Sequence, residues 1–101
     1  MIIYNVTTKV NWASHDRWLQ WMEQDHIPQI LQTGCFFEFR MLRLLETDEE
    51  EGPTYAVQYH ASTAEEYRTY IQQHAILFRQ QAHEKWGDQI IAFRSVMEVL
   101  H

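Results

Sequence analysis

The stretch Met1-Ile2-Ile3-Tyr4-Asn5-Val6-Thr7-Thr8-Lys9-Val10 decides the fold. Ile2, Tyr4, Val6, Thr8 and Val10 alternate with Ile3, Asn5, Thr7 and Lys9. β-branched residues dominate, so the segment reads as a strand with two distinct faces. A helix follows. Ser14 suits an N-cap and Asp16 the positive end of the helix dipole. Trp18, Leu19, Trp21, Met22, His26, Ile30 and Leu31 then recur at helical spacing. Pro28 lacks an N–H and biases Ile27 away from α geometry, which predicts a kink or restart there. Gly34 is the natural stop.

Beyond this βα unit the pattern continues as β, β, α, β. Phe36 to Glu46 and Thr54 to Ala61 alternate as strands. The run Asp48-Glu49-Glu50-Glu51 before Gly52-Pro53 reads as a solvated hairpin loop between them. Thr63 and Glu66 fit a capping box. Tyr67, Tyr70, Ile71, His74, Leu77, Phe78 and Ala82 then mark one helix ending near Gly87, and Gln89 to Leu100 makes a last strand. The order βαββαβ predicts an α+β, ferredoxin-like sandwich: one domain over residues 1–101, with a four-stranded antiparallel sheet and two helices on one face.

Composition narrows the classes of function. The 101 residues carry 8 Lys plus Arg against 14 Asp plus Glu, a formal charge of −6. That argues against nucleic acid and anionic membrane as partners, because both need basic patches. Hydrophobic residues at 46% suffice for a core. The single cysteine, Cys35, and an N-terminus without a signal-peptide pattern fit a cytoplasmic protein. No apolar run is long enough for a membrane span. Metal-ligand spacings, a glycine-rich phosphate loop and a nucleophile elbow are all missing, so neither metal nor cofactor is expected.

Two helices cover only one side of such a sheet. With Tyr4, Val6, Phe37, Phe39, Tyr55, Val57, Tyr59, Phe93 and Met97 facing them, the open face holds Ile3, Phe36, Leu42, Leu44, Ala92 and Val96 among Glu38, Arg40, Arg94 and Glu98. An apolar face carrying both charge signs suits a two-fold homodimer. Glu38, Arg40, Arg94 and Glu98 are its candidate interface residues. A small-molecule site belongs between helices and sheet, with His26 at its mouth and Tyr4, Trp21, Tyr59 and Tyr67 as walls. The competing reading makes His26 a cap on a loose carbonyl of the broken helix.

The chain resembles a known family at several places. The opening Met1-Ile2-Ile3-Tyr4-Asn5-Val6-Thr7, Trp18 with Trp21-Met22, His26-Ile27-Pro28, Gly34, Phe36 with Glu38 and Arg40-Met41, Tyr55 with Gln58-Tyr59, Arg79-Gln80, Gly87-Asp88 and Ala92-Phe93-Arg94 are similar to a bacterial family of small proteins, domain-of-unknown-function family 4286. That resemblance brings no reaction, so no catalytic role carries over. A fainter resemblance is to dimeric α/β-barrel proteins, many of them small monooxygenases, isomerases or decarboxylases of aromatic compounds. The expectation is a homodimeric domain binding a small aromatic or carboxylate ligand, with cofactor-free catalysis within reach. The alternative is a non-catalytic regulatory or protein-interaction module.

Overall fold

In the computed structural model, which describes residues 1–101, β1 (Ile2–Val10), β2 (Glu38–Arg43), β3 (Thr54–Ala61) and β4 (Ile90–Glu98) form one antiparallel sheet ordered β2-β3-β1-β4. The helices are α1 (His15–Trp21), α2 (Ile27–Gln32), α3 (Ala64–Gln73) and α4 (Ala75–Trp86). The ferredoxin-like α+β architecture therefore holds. No helix is long and apolar enough to cross a membrane.

Pro28 is accommodated without leaving the helix. One π turn, Met22–His26, joins α1 to α2, and the Ile27 N–H bonds Met22 O, five residues back. Ile27 keeps α geometry at φ −62, ψ −47 despite the following proline. The wider turn absorbs the missing donor, so the interruption is a bulge in a continuous helical run. Gly34 ends that run at φ 79, a conformation that needs no Cβ.

The second helical region differs more from expectation. It breaks at His74, with φ −128 and ψ −34, into α3 and α4. The break resets the helical phase, so Leu77 turns outward and is 55% exposed, while Ala75, Phe78 and Trp86 are buried.

Register settles the two faces of the sheet, because directly opposed residues share a face. Tyr4 packs on Tyr67 and Tyr70, so it faces the helices. Its partner across β4 is Val96, and Val6 opposes Arg94. Ala92, Arg94, Val96 and Glu98 thus lie on the helix side, and Phe93 and Met97 lie on the open face with Thr7 and Ile3. This reverses the expectation for β4, so Arg94 and Glu98 are withdrawn as candidate interface residues. Both alternations of β4 carry apolar residues, so its pattern left the phase open by one residue, and such a slip flips every side chain. Phe36 and Phe37 are exchanged for a different reason. They precede β2, outside the ladder, and Phe36 packs on Tyr59 and Tyr70 in the core while Phe37 stands beside His60 on the open face. Glu38 and Arg40, paired with His60 and Gln58, stay on the open face.

The acidic loop is tied down at its ends. Arg43 makes a two-point bond with Glu49, and the Trp12 indole N–H donates to Glu49 O. Gly52 presses on Val10 so closely that a Cβ there would sit 1.7 Å from the Val10 carbonyl oxygen.

Candidate functional site

A cavity of about 270 Å³ opens between the helices and the sheet, a little below the ~300 Å³ at which drug-sized pockets begin. β1 supplies Tyr4, Val6 and Thr8, β3 supplies Tyr59, and the β4 reversal brings in Ile90, Ala92 and Arg94. Trp18 and Trp21 come from α1, Met22 and His26 from the π turn, Tyr70 from α3, and Phe78, Arg79, Ala82 and His83 from α4. Of the residues expected from sequence, His26, Tyr4, Trp21 and Tyr59 line this space. Tyr67 packs against the Tyr4 ring at 5.8 Å and does not line it. Tyr70 takes that place.

The polar groups are unevenly distributed. Arg79 Nη2 and Arg94 Nε both donate to the Tyr4 hydroxyl, at 3.2 and 3.1 Å. They come from α4 and β4, and neither guanidinium has a carboxylate partner. No Asp or Glu lines the cavity. In a chain of net charge −6 this is a local concentration of uncompensated positive charge. Burial pushes the Tyr59 and Tyr70 hydroxyls upward in pKa, with neighbouring tyrosines adding to the shift, so both remain protonated donors at neutral pH.

His26 stacks on Trp21 at 4.3 Å and meets the edge of Phe78 at 6.0 Å. It makes no capping bond to the helix, and its Nδ1 is buried without a partner. This geometry removes the capping account, in which a ring nitrogen bonds a loose carbonyl. Burial, and secondly the charge of Arg94, lowers the imidazole pKa from 6.5 to about 4. His26 is therefore neutral at pH 7, with a hydrogen-bonding position unfilled.

Sequence reasoning missed Arg79 and misplaced Arg94. The one available signal for Arg79 was its position next to Phe78 on a helix whose inner stripe is Ala75, Phe78, Ala82 and Trp86.

A family model described as "Domain of unknown function (DUF4286)" matches residues 1–100. Among curated proteins none matches the chain. Solved structures share the fold at low identity. A dimeric ferredoxin-like protein from an uncultured marine organism is 12% identical, with TM-score 0.67 over 99% of this chain and 95% of that one. An EthD family protein from Bacillus halodurans is 9% identical, with TM-score 0.72 over 99% and 100%. SnoaB, a cofactor-independent oxygenase from Streptomyces nogalater, is 10% identical, with TM-score 0.69 over 99% and 94%.

Proposed function

The chain belongs to the DUF4286 family, and on that premise we propose that it is a homodimeric, ferredoxin-like domain that binds a small aromatic carboxylate in the cavity between helices and sheet. One observation carries the reading: two guanidinium groups without carboxylate partners converge on the Tyr4 hydroxyl at an aromatic-walled cavity. Guanidinium forks match carboxylates in two-point geometry, and both arginines are solvent-exposed, so an anion reaches them directly. Tyr4, Tyr70, Phe78 and Trp21 give the cavity an aromatic lining suited to an apolar, flat group. His26, neutral in the same wall, offers a ring N–H and a ring acceptor nitrogen as hydrogen-bonding groups.

The open sheet face supports the homodimer. Phe37, Ile91 and Phe93 are 56%, 70% and 61% exposed there, beside Met97 and Leu42. Glu38 and Arg40 add opposite charges, and two buried polar atoms of this face, Asn5 Oδ1 and His60 Nε2, have no partner within the chain. Such a self-complementary surface is what a two-fold axis requires.

The test of the ligand reading is isothermal calorimetry with benzoate and its neutral isostere benzamide. Benzoate should bind and benzamide should bind at least about tenfold more weakly, since only the carboxylate engages both arginines. Equal affinities, or no binding of either, would overturn the reading.

A further inference from the structure

Strand register draws rows of side chains across the open face of the sheet, and their chemistry differs. One row is polar on every strand. Arg40 on β2 opposes Gln58 on β3, Gln58 opposes Asn5 on β1, and Asn5 opposes Ser95 on β4. The rows on either side carry large exposed apolar groups. One holds Leu42 and Phe93, with Ala56 and Thr7 between them. The other holds Met97, in line with Ile3, His60 and Glu38. Covering this face is favourable for the outer rows and costly for the polar one unless its groups meet partners. Arg40 is exposed and has no carboxylate partner within the chain.

We propose that a second copy of this chain covers the face about a two-fold axis running along the strands between β3 and β1, so that the polar row meets itself. This rests on the homodimer reading and adds its geometry. With the strands ordered β2-β3-β1-β4, that axis lays β2 over the partner's β4 and β3 over the partner's β1. Arg40 then faces the partner's Ser95, Gln58 faces the partner's Asn5, and Leu42 faces the partner's Phe93. Facing sheets lie about 10 Å apart, a gap that an arginine side chain crosses to reach a hydroxyl acceptor. An axis across the strands through the same row sets Arg40 on the partner's Arg40, and that like-charge contact disfavours it. A polar row inside an apolar interface thus selects one alignment, as a single asparagine does in a coiled-coil seam.

The experiment is a double-mutant cycle on the dimer dissociation constant, measured by sedimentation equilibrium of the full chain. Ser95→Arg should raise that constant at least about tenfold, because it sets two cations together twice per dimer. Adding Arg40→Glu to the same chain should bring it back to within about threefold of wild type. Within one chain the two positions lie at opposite edges of the sheet, roughly 14 Å apart, so such coupling arises only between subunits. A second readout needs no variant. In a mixture of isotope-labelled and unlabelled wild type, filtered NOEs should join the Leu42 methyls to the partner's Phe93 ring. Additive effects of the two substitutions, or NOEs joining Phe93 to the partner's Met97 instead, overturn the proposal and leave the homodimer standing. A wild-type chain that is monomeric throughout overturns both.

Discussion

Acidification should destabilise this protein through His26, and the size of the effect follows from its burial. The imidazole pKa falls from 6.5 to about 4 in the folded chain. The unfolded chain therefore binds more protons between those values, and stability is lost as pH falls through that window. The full shift corresponds to about 3 kcal/mol, and the part lost between pH 7 and pH 4.5 is about 2 to 3 kcal/mol. In a domain of this size that lowers Tm by roughly 10–20 °C. Carboxylates titrate in the same range, so the comparison is with His26→Phe, whose ring keeps the Trp21 stack but takes no proton. Thermal and urea unfolding of both proteins at pH 7 and 4.5 measures the difference. The wild type should lose about 2 to 3 kcal/mol more than the variant across that interval. Equal losses would refute the claim that His26 is held neutral by the cavity wall.

Arg94→Gln should raise the His26 pKa measured by NMR titration, yet leave it below 6.5, because burial is the larger cause of its depression. Phe93→Asp should convert a dimer to a monomer by multi-angle light scattering, whereas Arg94→Gln should leave the mass unchanged; the opposite pattern would restore the reversed reading of β4. Gly52→Ala should lower stability by about 3 kcal/mol in urea, since its Cβ collides with the Val10 carbonyl backbone, and an unchanged midpoint would contradict that contact.

The order of elements was legible because β1 and β3 alternate cleanly and Thr63 marks a helix start, although Ser14, expected to cap the first helix, makes no side-chain cap bond there. Thr63 accepts from the Glu66 N–H as the capping box implies, and Gly34 sits where the helix ends. β4 was not legible in phase, because Ile90, Ala92 and Val96 compete with Ile91, Phe93 and Met97 as the inward set. The bulkier set faces away from the helices, an arrangement that makes physical sense only with a covering layer. The break at His74 carries no proline or glycine, so nothing in the local sequence announces it. Four of the five candidate cavity residues were legible because aromatic side chains on inward stripes converge in this fold. The arginines were not, because long cationic side chains on an edge strand and an outer-looking helix position read as solvated.

On the proposed function, Arg79 and Arg94 form an anion site at the aromatic cavity. A crystal structure with 4-bromobenzoate, located by bromine anomalous scattering, tests it most directly. The carboxylate should lie within hydrogen-bond distance of both guanidinium groups, with the bromine against the aromatic lining of Tyr70, Phe78 and Trp21. Bromine peaks confined to the protein surface, with the cavity empty of ligand, would contradict it.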